Sequence, residues 1–137
     1  MLALMRPLAA RLMLASLILT LPGCATADAR TRAAQAAATE FESVLAEADG
    51  RLACDALAPG TRQELEQGAP CPVALRSLQL AQAEGRAAAA DVYGSQARVA
   101  FTSDTIFLSL FPDGWKVTAA GCAPRQGHPY RCRLKGD

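Results

Sequence analysis

The hydrophobic period of this chain changes once, near Gly85, and that change limits the folds open to it. Before Gly85 apolar residues recur at helical spacing; after it they alternate. From Thr31 to Ala48, Ala37, Phe41, Val44, Leu45 and Ala48 share one face of a helix, with Glu40, Glu42 and Glu47 mainly on the other. Asp49-Gly50 ends that helix, since glycine tolerates the left-handed turn past a helix terminus. A second helix over Arg51 to Leu57 turns Ala53, Cys54 and Leu57 inward, and Pro59-Gly60 stops it. Thr61-Arg-Gln-Glu64 has the form of a capping box and starts a third helix at Arg62. In Pro72 to Gln82, Val73, Leu75, Leu78 and Leu80 do not sort cleanly between helix and strand; the segment is read as a fourth helix, with proline in its first turn.

Beyond Gly85 the strands follow closely. Ala87–Tyr93 and Gln96–Thr102 flank Gly94-Ser95, a hairpin turn with glycine first. Ala97, Val99 and Phe101 fall on one face, and Gln96, Arg98 and Thr102 on the other. Thr105–Phe111 is apolar on both faces, as in a central strand. Pro112-Asp113-Gly114 is a turn. Trp115–Ala120 and Tyr130–Leu134 alternate again. Helices first and hairpin-linked strands after predict an α+β domain, with N-terminal helices packed on a curved antiparallel sheet of about four or five strands.

The first 24 residues set the compartment. Arg6 and Arg11 precede an apolar run, Leu12–Leu21, that falls short of the ~20 residues a membrane span needs. Leu21-Pro22-Gly23-Cys24 follows, and it resembles the lipobox of bacterial lipoproteins. The resemblance implies diacylglycerol transfer to the Cys24 thiol and cleavage between Gly23 and Cys24. Gly23 offers a peptidase no obstructing side chain, and a thiolate is a strong nucleophile for alkylation. Two or three acyl chains then anchor stably where one is marginal. The competing reading is an ordinary signal peptide cut at Ala25 or Ala27. The expected organisation is a leader over 1–23, a lipid-anchored tether over 24–32 and one domain over 33–137. The expected place is the extracytoplasmic face of the cell membrane, or the outer membrane in a Gram-negative cell.

Removing the leader takes away two arginines and no acids, so 14 basic residues against 13 acidic become 12 against 13. The net charge passes from +1 to −1, with no basic stripe to bind nucleic acid. The remaining cysteines, Cys54, Cys71, Cys122 and Cys132, are an even set expected to form two disulfides. Three pairings are open, the most local joining Cys54 to Cys71 and Cys122 to Cys132. A metal site of Cys122, Cys132 and His128 fits no structural zinc spacing, and neither metal nor cofactor is expected.

Phe41–Pro59 (Phe-Glu-Ser-Val-Leu-Ala-Glu-Ala-Asp-Gly-Arg-Leu-Ala-Cys-Asp-Ala-Leu-Ala-Pro) resembles the opening of nuclear transport factor two-like (SnoaL-like) domains, in which a long helix, a small turn and a helix ending in Leu-x-Pro follow one another. Thr105–Cys122, with Phe-Pro-Asp-Gly-Trp-Lys-Val, is similar to their late hairpin. The whole chain is similar to small lipoproteins of high-GC Gram-positive bacteria. The superfamily resemblance implies a cone between helix and curved sheet, which houses acid/base residues in some members and a plain binding pocket in others. The fold alone does not choose between them.

The candidates for an acid/base role are Asp91, Tyr93 and Asp104; Asp91 and Asp104 read more simply as surface or turn residues, and Tyr93 reads equally well as core. His128 stands in Arg125-Gln-Gly-His-Pro129, expected to be an exposed loop tip with no nucleophile beside it. Tyr93, Phe101, Phe107 and Trp115 are the candidate lining of a ligand cleft, and otherwise core. The expected function is a tethered binding or accessory module for an envelope protein or small ligand. The alternative is an isomerase or lyase using a pocket Asp or Tyr. Asp91, Asp104 or Tyr93 buried at the floor of the largest pocket between helix and sheet would revive the alternative, and a buried, partnered Asp or His in the deepest pocket would count against the binding module.

Overall fold

The computed structural model describes residues 23–83, 86–87 and 89–136. Arg6, Arg11, Leu12–Leu21 and Pro22, expected as a leader, lie outside the described residues. Helix α1 spans Gly23–Ala46, so 24–32, expected as a tether, form its first turns. The Ala-rich composition of this stretch favours that, alanine having the best helix propensity. Three short helices follow: α2 (Gly50–Asp55), α3 (Pro59–Leu65) and α4 (Cys71–Ser77). Five strands complete the domain: β1 (Ala89–Tyr93), β2 (Gln96–Ala100), β3 (Thr105–Phe111), β4 (Gly114–Arg125) and β5 (His128–Lys135). They form one antiparallel meander in the order β1-β2-β3-β4-β5. The α+β class, with helices preceding a five-stranded antiparallel sheet, is as the change of period requires.

Several boundaries differ from the sequence reading, each for a local reason. Helix α1 ends by the left-handed turn of Ala48 (φ 56°), not of Gly50. The Asp49 amide donates to Val44 O and the Ala48 amide to Leu45 O, the pair of bonds that closes a Schellman cap. Asp49 then caps α2 by accepting from the Leu52 amide at 3.0 Å. Gly50 belongs to α2, where an added Cβ would meet Pro72 Cβ at 3.0 Å. Pro59 starts α3 rather than stopping its predecessor, because proline suits the first helical position. Thr61 is therefore inside α3 and buried; its hydroxyl donates to Thr118 O across the core instead of capping. The fourth helix stops at Ser77, and Gln79 is left-handed (φ 49°). Strands β4 and β5 run longer than their apolar alternation, into Arg125 and from His128.

One face of the sheet is covered. Helix α1 lies across β1 to β4 and buries Ala34, Ala38, Phe41 and Val44. These meet the inward residues Ala97, Val99, Ile106, Leu108, Trp115, Val117 and Leu134. The small residues of α1 let the helix approach the sheet while Phe41 fills the remaining volume. Before β5 takes over, the free edge of β4 pairs with the α2–α3 connection: the Ala58 amide donates to Val117 O and the Val117 amide to Ala56 O. Two disulfides hold the periphery. Cys54–Cys71 joins α2 to α4 across 17 residues, and Cys122–Cys132 joins the paired positions of β4 and β5 across 10. These are the most local of the three possible pairings.

Candidate functional site

Two carboxyl groups meet where the C-terminal half of α1 passes the β2–β3 connection. Asp104 is buried because it ends a ladder. The β3–β4 pairing stops at Phe107 and Ala119, while β4 continues towards β5 with amides still facing inward. Asp104 accepts from those amides: Oδ1 from Cys122 N at 2.8 Å and Oδ2 from Gly121 N at 3.1 Å. Oδ1 also accepts from Thr105 N at 2.7 Å. Gly121 is left-handed here (φ 65°), and a Cβ on it would stand 2.9 Å from Leu80 Cδ2.

Glu42 approaches the same carboxylate from α1. The sequence reading put it on the outward face of that helix, yet only 7 % of it is exposed. The connection from α4 to β1 folds over it, and its Oε2 accepts from the Ala83 amide at 2.7 Å. No period in the sequence marks such a loop, so nothing local could have revealed the burial. Its Oε1 has no donor, and its carboxyl lies in hydrogen-bonding reach of Asp104. Burial first, then the neighbouring Asp104 charge, push the Glu42 carboxyl up to about 7, against the opposing pull of the Ala83 amide. Near neutral pH the protonated form of Glu42 is able to donate to Asp104.

Asp104 also forms part of the wall of a cavity of about 440 Å³, with Phe101, Thr102, Thr105, Cys122 and Arg133. Arg133 is held at its mouth by Leu78 O and Gln79 O, at 3.2 and 3.0 Å. A buried carboxylate does therefore border this cavity, which is larger than the groove described next. Both its oxygens are already occupied by backbone amides, and Glu42 does not line the cavity.

The uncovered face of the sheet carries a second feature. Tyr93, Gln96, Arg98, Phe107 and Tyr130 line an open groove of about 340 Å³. Strand alternation puts these side chains together, since Arg98 and Phe107 are register partners on neighbouring strands. The rings of Phe107 and Tyr130 meet edge to face, 5.0 Å apart. The Arg98 guanidinium is fixed across the groove by an ion pair with Asp91 and a 3.3 Å bond to the Tyr130 hydroxyl. The groove is thus aromatic, locally charge-balanced and supplied with hydrogen-bonding groups.

Of the four aromatic candidates for a cleft, Tyr93 and Phe107 line this groove. Phe101 faces the other side of the sheet and borders the Asp104 cavity, and Trp115 is core. Of the acid/base candidates, Asp91 is engaged by Arg98, Tyr93 is 71 % exposed, and Asp104 is buried. His128 is exposed and opens β5, opposite Arg125. Cys122 and Cys132 are bonded to each other and offer no thiolate to a metal. Gln96, Arg98 and Tyr130 escaped the sequence reading: alternation along β2 placed Gln96 and Arg98 outward, whereas alternation along β5 put Tyr130 on the side of the core residue Leu134. No family model, curated protein or solved structure matches this chain.

Proposed function

We propose that this chain is a lipoprotein anchored through Cys24, whose extracytoplasmic domain is a non-catalytic binding module of the cell envelope. The observation that carries the reading is the groove on the uncovered sheet face. Flat aromatic edges and a neutralised guanidinium suit a small, polar, largely uncharged ligand or a partner's side chains. Kinship with the nuclear transport factor two-like superfamily is part of the proposal, supported by the order of helices before an antiparallel sheet. The experiment is a thermal-shift screen of the full chain against soluble cell-wall glycan fragments. A rise in Tm that Tyr130→Ala abolishes and Glu42→Gln retains supports the reading. A rise with the opposite dependence moves the site to the cavity.

The cavity sustains a second reading, an isomerase or lyase-type enzyme, because Asp104 lies in its wall with a titrating Glu42 beside it. Turnover of a screened metabolite, lost in Asp104→Asn while the far-ultraviolet circular dichroism is kept, would favour it. Two features weigh against it. The backbone amides hold Asp104, and His128, the one histidine of the chain, is remote from the pair by sequence and element.

A further inference from the structure

We infer that the end of the sheet carrying the β1–β2 and β3–β4 turns rests on the lipid surface, with Tyr93 and Leu110 in the interfacial layer. The inference rests on the reading of Cys24 as the lipidated residue and adds the surface that faces the bilayer.

Cys24 stands in the first turn of α1, with no irregular segment between it and the domain. Arg30, six residues on, donates through its guanidinium to Gly94 O in the β1–β2 turn. At 1.5 Å per residue, the Gly94 turn lies at a level only about 9 Å along the helix axis from Cys24. At the other end of the same helix, Glu42 reaches Ala83 and Asp104. The helix therefore crosses the sheet from the Gly94 turn towards the β2–β3 connection, and the anchor fixes which end is near the membrane.

That near end carries exposed apolar side chains beside the Asp113–Lys116 ion pair. Four large apolar side chains are exposed among the described residues, and two of them, Tyr93 at 71 % and Leu110 at 37 %, stand on it. They belong to neighbouring edges, since the Leu110 amide donates to Ser95 O. Half-buried Phe111 and exposed Pro112 continue the rim. An amphipathic ring beside aliphatic groups is the composition that favours the headgroup boundary. Exposed Arg30 and Arg32 on the first turns of α1 suit an anionic leaflet. Arg98, Phe107 and Tyr130 of the groove then stand above the headgroups, open to the envelope.

The test uses the full chain, produced with its leader in a bacterial host and reconstituted into phosphatidylethanolamine–phosphatidylglycerol vesicles containing bromine-labelled acyl chains. Tyr93→Trp and His128→Trp are compared, with the emission of Trp115, the one native tryptophan, subtracted from the wild-type sample. The expected result is strong quenching and a blue shift for the tryptophan at 93, and neither at 128. A tryptophan at 93 that stays unquenched while the protein floats with the vesicles overturns the inference and leaves the anchor intact. Equal quenching at both positions overturns it as well, because the domain then lies on its side. Failure to float overturns the anchor, and the inference with it.

Discussion

Glu42 shows how one residue can couple burial to pH. Its carboxyl, ordinarily half-protonated near 4.5, is pushed up to about 7 in the folded protein. Between those values the folded state holds a proton that the unfolded chain releases. Stability is therefore full below about 4.5 and falls as pH rises through about 7. The loss should be about 2 kcal/mol, discounted from the full shift because the neighbouring cavity admits solvent. Urea unfolding at pH 5 and pH 8 measures it, and Glu42→Gln should flatten the difference while retaining a donor for Asp104. At Asp104 itself, Asp104→Ala should cost about 3 kcal/mol, since three amides lose their acceptor together. Guanidinium unfolding of that variant, with binding to the groove unchanged, would separate a structural carboxylate from a reactive one.

At the scale of elements, the cap at Ala48 is a site for improvement. An alanine is strained at a left-handed φ of 56°, so Ala48→Gly should raise stability by about 1 kcal/mol, read as an upward shift in Tm. Opposite in sign, Gly121→Ala adds both a strained φ and a clash with Leu80, and should lower Tm by several degrees. The same elements show what sequence makes legible. The change of period gave helices before strands, and β3 was bounded at the observed residues because turns flank an apolar run on both sides. The inward face of β2 followed from spacing alone; in α1 spacing found Phe41 and Val44, missed Ala34 and Ala38, and turned the exposed Ala48 inward. Spacing could not show the ends of α3 and α4, where proline acts as a first residue as readily as a breaker. It was equally silent about Glu42, whose burial depends on a loop some forty residues away. Asp104 was recognised as a turn acid but not as the acceptor for a strand segment beyond the end of its ladder. The groove was half-visible: Tyr93 and Phe107 stood among the aromatics, whereas Arg98 became part of it only through cross-strand register.

For the whole molecule, the disulfides govern what the domain can withstand. On the proposed reading, Cys24→Ala leaves a chain that partitions to the aqueous phase in detergent phase separation. Loss of Cys54–Cys71 through paired serine substitutions should cost about 3 kcal/mol by loop-closure entropy, read by denaturant unfolding. A domain this small has little core to spare against such a loss. The sequential order of the two bonds has a further consequence, for biogenesis. Each cysteine of the pairs is bonded to the next one along the chain, and the loops neither cross nor enclose one another. When a polypeptide enters an oxidising space N-terminus first, its thiols emerge in chain order. On the proposed reading Cys24 carries its thiol as a lipid thioether, so an oxidase that joins each newly arrived thiol to an unpaired one before it writes the native connectivity directly. Maturation of this domain should therefore need an electron acceptor and no disulfide isomerase.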